Sequence, residues 1–201
     1  MALNKLIPIV ALFVIGCGQP TKKSVEQDRI PEPDVRIRLE GQKAMIDSSR
    51  MKKNLLTKVY ARVHDQPTPV EVRDLKWPKD IDDVYNIWYT PDTQIICFGA
   101  YPFSQTGDWD MGLTHYFDSN GNTFAFERTT SFYNSLCTDD LAIEQIVTYY
   151  HNEAMVDSVY VFTDVKGNSL ESDSCEFPYD FPYRIYTNAN DVLRNVGITT
   201  R

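Results

Sequence analysis

Thr114-His115-Tyr116-Phe117-Asp118-Ser119-Asn120-Gly121-Asn122-Thr123-Phe124-Ala125-Phe126-Glu127 is the stretch whose reading decides the fold. Asn120-Gly121 suits a two-residue type I′ turn, because both central residues of that turn need positive φ. With those two residues as the loop, Phe117 faces Phe124, Tyr116 faces Ala125, His115 faces Phe126 and Thr114 faces Glu127. This register puts Met111, Leu113, His115, Phe117, Phe124 and Phe126 on one apolar side. Thr114, Tyr116, Asp118, Thr123, Ala125 and Glu127 share the mixed side.

The neighbouring sequence extends the sheet. Val84 to Tyr89 and Gln94 to Ala100, with Pro91-Asp92 as a turn, read as strands. Val156 to Thr163 reads as another, followed by a turn at Lys166-Gly167-Asn168 and a weaker returning strand from Ser169 to Cys175. Tyr183 to Thr187 reads as a last strand, and Asn190 to Asn195 as a short helix stopped by Gly197.

Two longer helices are expected to cover the sheet. From Ala44 to Val63 the residues Met45, Ile46, Leu55, Leu56, Val59, Tyr60 and Val63 gather on one side of a helical wheel, with Lys43, Arg50 and Lys58 opposite. Such a helix covers a sheet or lies on a membrane surface. Gln66-Pro67-Thr68-Pro69 ends it, since the prolines supply no amide donor. Thr138 reads as an N-cap with Asp139 and Asp140 in the first turn; Ile143, Ile146, Val147 and Tyr150 follow at helical spacing to about His151. The fold class expected is therefore α+β, an antiparallel β-sheet with an N-terminal amphipathic helix and a second helix packed on it.

Composition agrees with a packed core: 42% of the 201 residues are hydrophobic, including ten Phe and twelve Tyr. The formal charge of -8 is unevenly spread. Residues 1–79 carry 15 Lys or Arg against nine Asp or Glu, and residues 80–201 carry five against 19, so the two parts differ in sign. An acidic part of this size argues against nucleic acid as a partner. The basic part is expected to pack on the acidic part or to touch a membrane.

The N-terminus sets a different expectation. Lys5 precedes an apolar run from Leu6 to Ile15, broken by Pro8 and closed by Gly16-Cys17. About ten residues of helix cover roughly half of a bilayer core, so the run suits a cleaved signal better than a spanning helix. Val14-Ile15-Gly16-Cys17 resembles the lipobox of bacterial lipoproteins, and the resemblance covers residues 1–17 only. It implies a signal peptide at 1–16, with Cys17 as the mature N-terminus, its sulfur joined to diacylglycerol and its amine acylated. Gly18, in place of Asp, implies sorting to the outer membrane of a Gram-negative envelope. Residues 17–34, with three prolines, read as a tether with a reach on the order of 20 to 25 Å, and residues 35–201 as one α+β domain.

Chemistry-bearing patterns are sparse. With Cys17 lipidated, Cys97, Cys137 and Cys175 remain; a disulfide between Cys137 and Cys175 is expected in an oxidising envelope. A reactive Cys137 at a helix N-terminus is the alternative, opposed by Asp139 and Asp140. His64, His115 and His151 have no metal-ligand spacing. His115 falls on the apolar face, and His151 with Glu153 forms a faint acid/base candidate at a helix end. Asp80, Asp82 and Asp83 read as a solvated turn that does not match a calcium loop. There is no GxSxG, SxxK or Walker pattern.

The aromatic patch Phe177-Pro178-Tyr179-Asp180-Phe181-Pro182-Tyr183 either packs a loop or stacks a sugar or peptide. No catalytic residue, metal or cofactor is assigned. The expectation is a lipid-anchored envelope protein, non-catalytic, binding a protein or glycan. A hydrolase using two carboxylates is the alternative.

Overall fold

Strand-forming residues dominate this chain, and they build a single antiparallel meander. A computed structural model describes residues 33–133, 135–171, 175 and 182–199. After the helix α1 (Pro33–Met51) come strands β1 (Leu56–Val63), β2 (Val70–Glu71), β3 (Ile81–Tyr89), β4 (Ile95–Pro102), β5 (Trp109–Phe117), β6 (Thr123–Phe132), β7 (Ala142–His151) and β8 (Ala154–Asp164). A short helix, α2 (Ala189–Val196), follows. The sheet order is β2-β1-β3-β4-β5-β6-β7-β8. The expected antiparallel sheet with two helices is present in outline, and the sheet is the larger part.

The two sheet faces take different helices. Trp88, Cys97, Tyr116, Ala125 and Tyr149 stand in one cross-strand row. Leu39 and Ile46 of α1 pack on that row. Burying two such side chains contributes roughly 1.5–3 kcal/mol each. The opposite face carries Tyr85, Ile87, Phe98 and Phe117, covered by Val192 and Leu193 of α2.

The central hairpin keeps the expected pairs Thr114 with Glu127, His115 with Phe126 and Tyr116 with Ala125. Its turn differs. Gly121 alone adopts positive φ, at 80°, so the loop is a type I turn followed by a left-handed glycine rather than type I′. Asp118 decides this: its Oδ1 accepts from the N–H groups of Asn120 at 2.9 Å and Asn122 at 2.8 Å. Phe117 then pairs with Thr123 across a register shift, so Phe124 turns to the Tyr116 side. Asp164-Val165-Lys166-Gly167-Asn168 repeats the device, with Asp164 Oδ1 accepting from Lys166 and Asn168. Type I′ geometry occurs instead at Asn152-Glu153, both at positive φ between paired His151 and Ala154.

Two helices expected from periodicity are corrected. The first one starts and ends earlier, at Pro33–Met51. Lys53 in the left-handed region closes it, with Asn54 N–H bonding Ser49 O at 3.1 Å and Lys53 N–H bonding Arg50 O at 3.1 Å. Leu56 to Val63 is strand, as β-branched Thr57, Val59 and Val63 prefer. The second, from Thr138 to His151, is not helix but β7, rich in β-branched residues and ending Tyr149-Tyr150-His151. Thr138 does accept a backbone N–H, from Asp140 at 3.3 Å, but in a local turn.

Ser169 makes only an isolated bridge to Thr163, and Tyr183 to Thr187 does not form a strand of the sheet. The C-terminal helix spans Ala189–Val196; Asn188 caps its start, accepting from Asp191 N–H at 2.9 Å, and Gly197 at φ 80° stops it.

Candidate functional site

The half of the sheet that α1 leaves uncovered forms the floor of an open groove of about 680 Å³. One wall is α1. Its inward stripe, Val35, Leu39, Gln42, Lys43, Ile46, Asp47 and Arg50, is buried or half-buried and follows helical spacing. The stripe is apolar at its start and charged where it meets the groove. Lys43 and Arg50, expected opposite the apolar side, therefore face the sheet. Their partners on β5 and β6 draw them inward.

Those partners form one closed network. Lys43 Nζ lies 2.8 Å from Asp47 Oδ2 and 2.8 Å from Glu127 Oε2. Tyr116 OH lies 2.8 Å from Asp47 Oδ1 and 2.7 Å from Glu127 Oε2, so one hydroxyl proton serves two carboxylates. Arg50 Nη1 donates to Asp47 Oδ1 at 3.2 Å and to Tyr116 OH at 3.2 Å. Its guanidinium carbon lies 4.1 Å from the centroid of the Trp88 ring. Glu127 Oε1 accepts from Gln145 Nε2 and from Thr129 Oγ1. Lys43 and Glu127 are largely buried, at 12% and 15% side-chain exposure.

Burial favours the neutral forms of both, but their mutual contacts win. Burial pulls the Lys43 ammonium down, while Asp47 and Glu127 more than offset it and hold its pKa above the usual value. Burial pushes Glu127 up, while Lys43, Tyr116 and Gln145 bring it below the usual carboxylate range. Burial, then the charge of Glu127, drives the Tyr116 phenol far up, so it stays protonated.

Asp47 and Glu127 are two convergent acids. Through the shared Tyr116 hydroxyl, their nearer oxygens are at most 5.5 Å apart, the 2.8 and 2.7 Å legs laid end to end. That upper bound does not exclude the spacing of a pair of hydrolytic carboxylates. The electrostatics argue against such a pair: a general acid needs a raised pKa, and Glu127 is lowered. All four carboxylate oxygens already accept from Lys43, Arg50, Tyr116, Thr129 or Gln145.

Beyond this network the groove floor is an aromatic shelf. Tyr101 on β4 lies over two glycines. A Cβ on Gly99 would stand 2.7 Å from the Tyr101 hydroxyl, and one on Gly112 would stand 3.3 Å from its ring. Only glycine backbone leaves room for the ring to lie this low on the sheet. Tyr101 also hydrogen-bonds the side chains of Thr114 and Asn86, and burial raises its phenol. Thr129, Gln145 and Asp110 complete the polar lining.

The residues singled out from sequence lie elsewhere. Cys17 falls outside the described residues. Cys137 and Cys175 are joined, with Cα atoms 4.7 Å apart. Cys97 is a free, fully buried thiol whose pKa burial pushes up to about 12, which leaves it unreactive. His115 is buried, at 3% exposure, and Tyr186 N–H donates to its Nε2 at 3.1 Å.

His151 sits at a strand end beside the β7–β8 turn, so its expected helix-end setting is corrected. His64 lies 3.3 Å from Asp82, whose hydrogen bond raises its pKa with help from Asp65. Asp83 pairs with Arg62 at 3.3 Å. Among the described residues no group of three or more His, Cys, Asp or Glu could hold a metal ion. Of the aromatic patch, Phe177 to Phe181 lies outside the described residues; Tyr183 stacks on Phe126 at 5.6 Å.

Asp47, Tyr116, Glu127, Tyr101 and Gln145 were not singled out as a site. The signals available were the Lys43-x3-Asp47-x2-Arg50 stripe and Gly99-x-Tyr101 beside Gly112. No family model, no curated protein and no solved structure matches this chain.

Proposed function

We propose that this chain is a lipid-anchored protein of the bacterial envelope, attached at Cys17 to the outer membrane, that binds a protein or glycan and catalyses no reaction. The attachment rests on the lipobox resemblance of Val14-Ile15-Gly16-Cys17. The observation that carries the binding reading is the state of Asp47 and Glu127. Every oxygen of this convergent pair is engaged internally, so the acids hold the wall of a groove and do not present a proton or a nucleophile.

Two measurements test it. Cys17→Ser should move the protein from the membrane to the soluble fraction, because several acyl chains contribute about 0.8 kcal/mol per buried methylene and the variant has none. Retention of that variant on membranes would refute the anchor. Turnover of an envelope glycan or peptide by the purified protein, abolished by Glu127→Gln, would refute the non-catalytic reading and favour the two-carboxylate hydrolase.

A further inference from the structure

We infer that the groove beside α1 takes a neutral saccharide chain, laid across the open face of Tyr101; this deepens the binding reading above and rests on it. The ring of Tyr101 is set down on bare backbone at Gly99 and Gly112, and Tyr101 is one of the residues that line the groove. A flat, immobilised aromatic face carries a negative quadrupole, which attracts the weakly positive C–H groups of a sugar ring. Glycine in the middle of a sheet costs stability, and here two of them lower one ring into a groove floor.

The polar lining suits hydroxyl groups. Gln145 gives its amide N–H to Glu127 and keeps its carbonyl oxygen for another donor. Asp110 is exposed at the groove, and its carboxylate can accept hydrogen bonds from hydroxyls. Charge argues against an anionic ligand. The cations Lys43 and Arg50 are matched within the wall by Asp47 and Glu127, so an anion would meet no uncompensated cation there. A peptide strand is disfavoured by topology. Such ligands add to a sheet edge through main-chain hydrogen bonds, and this floor lies over β4 to β7, whose backbones already pair with neighbours on both sides. A volume of about 680 Å³ falls within the usual range for small-ligand sites.

The test uses the full chain in a detergent free of sugar headgroups, titrated with cellohexaose, maltohexaose and chitotetraose. Calorimetry reads binding, and tryptophan fluorescence reports it through Trp88 on the groove wall. At least one probe should bind. Tyr101→Ala should weaken that binding about tenfold or more, a loss typical of an aromatic anchor. Tyr101→Phe, which keeps the ring and loses only the hydroxyl contacts with Thr114 and Asn86, should bind within about threefold of the parent.

The inference is overturned if no probe binds at about 10 mM, a threshold weaker than any useful site. It is also overturned if Tyr101→Ala and Tyr101→Phe bind alike. Those failures leave the anchored binding reading standing on a protein partner. Cleavage of a bound probe does the reverse: it supports the groove as a sugar site and overturns the non-catalytic reading.

Discussion

Replacing His115 with Gln should remove one identifiable share of this protein's acid sensitivity. The imidazole is enclosed by Phe98, Phe117, Phe126 and Tyr186, and burial alone lowers its pKa from 6.5 to about 3. Tyr186 N–H donates to Nε2, so the proton sits on Nδ1, where it finds no acceptor. Protonating Nε2 would set two donors against each other in a dry site. The unfolded chain takes up the proton near 6.5 and the folded chain does not until about 3. Stability is therefore complete above 6.5 and falls as pH drops through that window, by about 1.4 kcal/mol per pH unit.

At pH 5 this one residue costs about 2 kcal/mol relative to pH 7. Glutamine retains an acceptor for Tyr186 N–H and does not titrate. Urea unfolding of both proteins at pH 7, 6, 5 and 4.5 reads the difference. The parent's unfolding free energy, minus that of His115→Gln, should fall with a slope near 1.4 kcal/mol per unit below pH 6. Parallel pH profiles for the two proteins would refute a buried, neutral His115.

Lys43→Met removes the cation between two largely buried acids and should destabilise the fold by about 3–5 kcal/mol in urea unfolding at pH 7. Glu127 is held below its ordinary range in the parent, and in the variant that hold is lost. The deficit should therefore shrink as pH falls toward 4 and the unpaired acids take up protons; a constant deficit would refute the pairing. Gly99→Ala should cost about 1–3 kcal/mol in thermal unfolding through collision with Tyr101, and far less when Tyr101 is already Ala. Equal costs in both backgrounds would place Tyr101 elsewhere. Mass spectrometry of the unreduced, unfolded protein should find Cys97 alkylated and Cys137 linked to Cys175. Reducing that link, which spans 38 residues, should lower stability by up to about 4 kcal/mol.

Much of the sheet was legible because hairpins are local. Three residue pairs of the central hairpin stand as the pattern around Asn120-Gly121 expects. The error at its tip has a local cause as well: Asp118 can bond the two amides that follow, and that contact outweighs the preference of Asn120 for positive φ. Asp164 makes the same contacts ahead of Gly167-Asn168, so the pattern Asp-x-x-Gly-Asn is the readable signal. The strand β7 was less legible. Ile143, Ile146, Val147 and Tyr150 match a helical wheel, and only their β-branched or aromatic chemistry and the pairing offered by β6 and β8 decide otherwise.

The candidate site was hidden for a different reason. Its parts are ordinary in sequence and come together only through contacts between distant residues: Arg50 to Tyr116 spans 66 residues, and Tyr116 to Asp47 spans 69. A helical wheel sorts side chains by hydrophobicity and sends Lys43, Asp47 and Arg50 to water. The sheet reverses that sorting, because Glu127 and Tyr116 on its facing strands supply what a buried cation requires. The opposite charges of the two parts of the chain bear on the same point. Arg36 meets Asp157 at 3.0 Å and Lys43 meets Glu127 at 2.8 Å, so the basic helix is spent partly on acids of the strands. A charged stripe satisfied in this way holds α1 at one place on the sheet, and that placement leaves the Tyr101 half of the face open.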